Sequence, residues 1–270
     1  VNLGVYTRAE LVARGETDSS LRRSVRDQTL TRIRDGWYAT TDANPAAIEA
    51  VRRGGVLSCV SALDLHGFWV APGYPGVHFR GTRTTKRQGA CGHHGRLRPA
   101  GGAIDSPALA LACAAKCMRA EDWIAVVDSV LNTKQMAVED MRQALDGLID
   151  HEANRLLEKC DPDAESGTES IVRVRLRAHN FKVVVQPRIT GVGRYDLGVG
   201  RLLIECDSKT HHMSERDYER DRWRDRKVML AGYLPLRLTY STVFYDWEDA
   251  MADIVALTRK ARHRYGAQRC

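Results

Sequence analysis

Three acids in the last third of the chain, Asp196, Glu205 and Asp207, stand in a run that is otherwise largely apolar, "YDLGVGRLLIECD". Gly200 and Arg201 suit a two-residue hairpin turn with glycine in the first central position. Val199 then faces Leu202, and stepping outward pair by pair sets Asp196 opposite Glu205. Strand side chains alternate, so Glu205 and Asp207 share one face with Cys206 on the other, and Asp196 joins that face from the neighbouring strand. Like charges directly across a ladder repel, and acids set among Leu197, Leu202, Leu203 and Ile204 call for a compensating cation. A hard ion that accepts a few carboxylates and keeps its waters, Mg²⁺ with Mn²⁺ as a substitute, suits such a set. The competing reading has the acids solvated at a sheet edge, or neutralised by Arg194 and Arg201. The apolar "LLIECD" argues instead for a buried strand whose acids emerge at its end.

The elements that would position these acids alternate from Thr168 onward. A helix (Thr168 to His179) precedes strands over Phe181 to Gln186, Arg194 to Val199 and Arg201 to Asp207. A charged helix (Glu215 to Ala231), a strand (Leu234 to Thr239) and a last helix (Trp247 to His263) follow. The order is αβββαβα, an α/β (α+β) unit with a mixed sheet. In the helix "SERDYERDRWRDRK" most charges pair at i,i+3 or i,i+4 spacing and read as a salt-bridged exposed surface. Arg220 and Arg222 are its candidates for phosphate contact.

The stretch "ES...RVRLRAHNFKVVVQPRITGVGRYDLGVGRLLIECDSKTHH...RDRWRDRKVMLAGYLPLRLT" resembles the PD-(D/E)xK nuclease superfamily, and within it the branch of very-short-patch-repair endonucleases. The resemblance covers some hundred residues and implies a metal-dependent endodeoxyribonuclease. It assigns Asp196 to the metal-binding acid of the first motif, Glu205 to the acid of the second, and Glu169 to the helix carboxylate that completes the metal site. Two departures matter: Tyr195 replaces a proline, and Asp207 stands where the usual lysine would be. In this branch an acid there followed by histidine is usual, so the resemblance implies that His211 or His212 assists proton transfer, with Lys209 a weaker candidate.

The front of the chain has two short helical patterns (Arg8 to Arg14, Ser20 to Asp27), then Leu30 to Ile33, a turn at Arg34-Asp35-Gly36, and Trp37 to Ala39. Helix, helix and hairpin suit a small winged helix-turn-helix. Ser19 or Ser20 can cap the second helix and Leu21 with Val25 form its inner stripe, leaving Arg22, Arg23 and Arg26 for DNA. A pure interaction domain would show the same pattern. Helical stretches follow (Ala46 to Arg53, Leu57 to His66, Pro107 to Cys117, Asp122 to Leu131, Val138 to Leu145). The motif "TRAELVARG...LRRSVRDQTLTRIRDGWYAT" and the helices after it, about the first half of the chain, resemble the N-terminal and central parts of AbiEi-type antitoxins, which implies a DNA-facing winged helix with an α-rich companion. Composition and turn signals divide the chain at 1–42, 43–163 and 164–270. "DPDAESG" (161–167) serves as linker, and a fragment cut there is expected to fold alone.

Charge is uneven. Lys and Arg number 41 against 34 Asp and Glu, a net +7. No acid occurs between Asp64 and Asp105, whereas Arg80, Arg83, Lys86, Arg87, Arg96 and Arg98 all fall there, nearly the whole surplus. Arg80, Arg83, Lys86 and Arg87 are therefore candidate DNA contacts, against the reading of a solvated loop. The seven cysteines are scattered and lack a C-x-x-C pair, which indicates neither a disulfide framework nor a zinc ribbon. Cys91, His93 and His94 could supply soft ligands but no second pair follows at finger spacing, and Cys113 and Cys117 read as small core residues of a helix. A hydrophobic share of 43% and a charged share of 28% exclude a disordered chain. The absence of a long apolar run excludes a membrane span, and the polar start lacks a secretory pattern. The expectation is a cytoplasmic DNA endonuclease that uses Mg²⁺ and no organic cofactor, with DNA as partner and no membrane. The alternative is a DNA-binding antitoxin or repressor with an inactive nuclease-like domain.

Overall fold

The computed structural model describes residues 1–81, 89–93, 101–207 and 215–258, with side chains in the last stretch from 219. Arg83, Lys86, Arg87, Arg96, Arg98, His94, Lys209, His211 and His212 lie outside the described residues.

The front half opens with β1 (Val5–Thr7), α1 (Arg8–Ala13), α2 (Asp18–Arg26), β2 (Leu30–Arg34) and β3 (Trp37–Thr40). The three strands form one sheet in the order β1-β3-β2, a helix pair followed by a winged hairpin. Thr7 caps α1 by accepting from the Glu10 backbone N–H, while the Glu10 carboxylate accepts from the Thr7 N–H. Thr17, not Ser19 or Ser20, caps α2; Ser20 closes the reciprocal bond three residues on. Gly36 turns the hairpin at φ +73°, a conformation that a side chain would disfavour. Leu21 is buried under α2, Val25 is half-buried, and Arg22, Arg23 and Arg26 are exposed.

Next come α3 (Pro45–Arg52), β4 (Gly55–Leu57), α4 (Cys59–Leu65), β5 (Phe79–Gly81), α5 (Pro107–Cys117), α6 (Ala120–Lys134), α7 (Val138–Ala144) and α8 (His151–Leu157). The β4/β5 pair, absent from the sequence reading, gives the winged helix a shared core: Val5, Trp37 and Ala39 pack with Ala47, Val51, Val56, Leu57 and Phe79. The winged helix and the α-rich region are accordingly one body. The chain divides into two compact units, residues 1–127 with 137–158, and 128–136 with 159–270. The division at 161–167 read from composition does not coincide with this one, because residues 128–136 also belong to the C-terminal unit.

That unit continues with α9 (Gly167–Ala178), β6 (Val184–Val185), β7 (Arg188–Ile189), β8 (Gly193–Arg194), β9 (Leu197–Val199), β10 (Leu202–Asp207), α10 (Glu215–Leu230), β11 (Leu234–Thr239), α11 (Tyr240–Tyr245) and α12 (Trp247–Thr258). A four-stranded mixed sheet runs β11-β10-β9-β6, with β10 parallel to β11 and antiparallel to β9. The expected αβββαβα order is present, with a short β7/β8 hairpin and α11 inserted. No helix among the described residues is long and apolar enough to cross a membrane.

Candidate functional site

The β9/β10 register is the one the turn dictates: Val199 pairs with Leu202, Gly198 with Leu203 and Leu197 with Ile204. Gly200 has φ +60°, the left-handed first position of a primed turn. Asp196 lies one residue outside β9, close enough that its charge acts on Glu205 of β10. The Asp196 Oδ2 accepts the Cys206 backbone N–H at 2.7 Å, which fastens the acid across the ladder. Glu169 enters from the first turn of α9, buried, with its Oε1 accepting from Gln186 Nε2 at 3.0 Å and its Oε2 from the Glu165 N–H at 2.9 Å. Gln186 is held at φ +51°, a strained conformation for a non-glycine residue, and its N–H donates to the Asp196 carbonyl.

Electrostatically the three acids are one system. Burial, then the Asp196 charge, pushes Glu169 up to about 8. The same two causes push Glu205 up to about 7, against the pull of Arg224. Asp196 is also raised, by burial first, although the Cys206 N–H favours its ionised form. A carboxylic acid whose folded pKa exceeds its unfolded value of about 4.3 stabilises the fold most below that value, and loses this contribution as pH rises through the folded pKa. Melting in EDTA is therefore expected to weaken between pH 5 and pH 9. Glu169→Gln and Glu205→Gln should each flatten the profile; profiles parallel to wild type would contradict the shared burial of the two acids.

Arg194 does not neutralise the acids, since it pairs with Glu165 at 2.7 Å. The cations present are Arg224, 2.9 Å from Glu205, and Arg237 on β11, which reaches Asp207 (3.5 Å), Asp221 (2.9 Å) and Asp225 (3.5 Å). Arg224 also lies over the Tyr195 ring, 4.7 Å from its centre. Tyr195 is buried with Leu203 and Val228, so its ring serves as a packing platform under Arg224. Sequence reasoning chose Arg220 and Arg222 on α10, and both are exposed. The signal for Arg224 was available: Asp221, Arg224, Asp225 and buried Val228 recur at i, i+3, i+4 and i+7, one helix face.

Arg80 is a correction. Its guanidinium is buried and grips Asp105 with two hydrogen bonds, Nε to Oδ2 at 2.7 Å and Nη2 to Oδ1 at 2.6 Å. It holds the fold and is not presented to a phosphate.

Soft donors gather elsewhere. Cys59, His78, Cys91 and Cys117 bring their ligand atoms within 4.8 Å of one another and could hold a metal ion. Among the described residues this is the group of close donors; the carboxylates, each occupied by a partner, do not form a comparable one. Cys91 thus finds its companions in distant segments; His93 is not of the group, and His94 lies outside the described residues. Cys113 is buried in the core as read, whereas Cys117, one turn on, belongs to the cluster. Compared with protein-family models, with curated proteins and with solved structures, the chain matches none.

Proposed function

We propose that the protein is a metal-dependent endodeoxyribonuclease whose reacting centre is built on Asp196, Glu205 and Glu169. The observation that carries this reading is that Asp196, just outside β9, accepts the Cys206 N–H beside Glu205 and acts electrostatically on both Glu205 and buried Glu169. The donor set suits a hard ion, since all are carboxylates, and the Glu205 Oε1, held by Arg224 at 2.9 Å, would exchange that partner for the metal. Asp196 and Glu205 would hold Mg²⁺ or Mn²⁺, with Glu169 completing the set. A bound ion of this kind lowers the pKa of a water and neutralises charge growing on the scissile phosphate and the leaving oxygen.

The protein's own part is positional. The Cys206 N–H fixes one Asp196 oxygen, leaving the other for a ligand. Gln186 orients Glu169 in the same way. Arg224, already against Glu205, would donate to a phosphate oxygen once Glu205 is engaged elsewhere, whereas Arg237 is the cation beside Asp207, where the family lysine would stand. The resemblance that assigns proton transfer to His211 or His212 concerns residues outside those described. Incubation with supercoiled plasmid and Mg²⁺ or Mn²⁺, with and without EDTA, tests the proposal. Nicked or linear product that EDTA suppresses is the expected result.

One observation favours the second reading, an inactive nuclease-like domain in an antitoxin or repressor: Arg224 neutralises Glu205 from within. Persistent duplex binding with no cleavage in either metal would select it.

In the front half the exposed Arg22, Arg23 and Arg26 of α2 remain candidates for DNA contact, as do Arg83, Lys86 and Arg87. Each phosphate contact contributes a slope of roughly −0.9 to log affinity against log salt. Replacing Arg83, Lys86 and Arg87 with serine is expected to flatten that slope by about two to three units, measured in Ca²⁺ to suppress cleavage. An unchanged slope would make the stretch a solvated loop. Arg80 is left out of the set because its loss would unpair buried Asp105.

A further inference from the structure

The four soft donors come from four separate segments that the fold itself gathers. Cys59 opens α4, His78 precedes β5, Cys91 follows β5 in sequence, and Cys117 ends α5. Backbone hydrogen bonds set two of the approaches: the Ser58 N–H donates to the His78 carbonyl at 3.1 Å, and the Cys91 N–H to the Phe79 carbonyl at 2.8 Å. The packing of α4 on α5 supplies the last. Cys59 is fully buried and the other three are half-buried, and the Cys91 sulfur lies 3.5 Å from the His78 Nδ1. Zn²⁺ binds sulfur at about 2.3 Å and imidazole nitrogen at about 2.0–2.1 Å, so a tetrahedral site has donor–donor edges of roughly 3.6–3.8 Å. Four donors within 4.8 Å of one another need only a small contraction to reach those edges.

We propose that Cys59, His78, Cys91 and Cys117 form a structural zinc site that ties α4, β5 and α5 together in the N-terminal unit. Three thiolates and one imidazole are soft ligands that select zinc over a hard ion such as Mg²⁺. Four protein ligands fill the tetrahedron and leave no position for water, which makes the site structural and not hydrolytic. Its role is to cross-link short elements: β4 and β5 have three residues each, and α4 has seven. The site belongs to a different unit from the carboxylates and does not depend on the nuclease reading.

The test is the metal content of the full chain purified without chelator, read by plasma mass spectrometry. About one zinc per chain is expected, since closed four-ligand sites of this kind bind tightly near neutral pH. Cys91→Ser and His78→Gln should each lower the content at least severalfold. Cys113→Ala, a buried cysteine of the same helix as Cys117 whose sulfur lies outside the group, should leave it unchanged. Loading the metal-free protein with Co²⁺ should give the intense visible bands of tetrahedral thiolate coordination, and zinc should protect three cysteines from a thiol reagent. These last two readouts use the wild-type chain, so a variant that fails to fold does not decide the matter. Metal-free protein with no cobalt bands and no protection by zinc would overturn the proposal, as would a disulfide among Cys59, Cys91 and Cys117 in freshly purified protein.

Discussion

Replacing Glu205 with glutamine or Asp196 with alanine is expected to reduce Mg²⁺-dependent plasmid cleavage about a thousandfold or more, with duplex affinity in Ca²⁺ nearly unchanged. Metal polarisation of a phosphoryl oxygen is worth several kcal/mol, and each 1.4 kcal/mol or so is a factor of ten in rate. On the proposed function, loss of one of the two principal carboxylate ligands should forfeit most of it. Affinity should hold because a carboxylate beside a phosphate contributes repulsion, not attraction. Glutamine is preferred at 205 because it keeps the side chain's volume beside Arg224, which retains Asp221 at 3.8 Å. Arg224→Ala should lower the rate by about 10²-fold, the usual loss on removing one charge-stabilising donor. Cleavage at the wild-type rate in both carboxylate variants would remove the site.

Asp128→Ala is expected to destabilise the C-terminal unit by about 3–5 kcal/mol, the range for a buried ion pair stripped of one member. Asp128 accepts from Arg173 Nη2 at 2.6 Å, both side chains are essentially inaccessible to water, and the Asp128 Oδ1 accepts the Asp161 N–H. Arg173 would be left with the Lys159 carbonyl as partner, an incomplete answer to a buried charge. Typical domains hold only about 5–15 kcal/mol, so a loss of this size should be evident in urea unfolding. A fragment comprising residues 159–270 lacks Asp128 altogether and should be molten or insoluble, whereas the sequence alone suggested that a cut at 161–167 would release a folded unit. The double replacement Asp128→Leu with Arg173→Met removes both charges and should recover most of the loss in the full chain. An Asp128→Ala protein of wild-type stability would show that the pair is dispensable.

The β9/β10 hairpin could be read from sequence because alternation and one glycine turn fix the register from Val199 and Leu202 to Leu197 and Ile204. Glu169 was singled out only through a family resemblance, and its burial near Asp196 has no local mark in the sequence. Arg224 was missed because its helix is so densely charged that its inner face does not look apolar. Arg80 was misassigned because counting charge along a stretch cannot see that the first acid beyond it, Asp105, is its partner. The Cys/His group escaped for a related reason: its ligands are separated by 19, 13 and 26 positions, and only tertiary pairing of β4 with β5 and of α4 with α5 brings them together. The β7/β8 hairpin was too short, at two residues a strand, to leave a periodic trace.

Neither compact unit is continuous along the chain, which passes from one to the other at 127/128, 136/137 and 158/159. During synthesis the N-terminal unit cannot close until residue 158 has emerged, and by then a segment of the other unit, 128–136, has been released ahead of α9, whose Arg173 pairs with its Asp128. That segment must wait for α9. The two units are thus tied in the order of their assembly, and neither can be exchanged by recombination at a single boundary as a contiguous domain can.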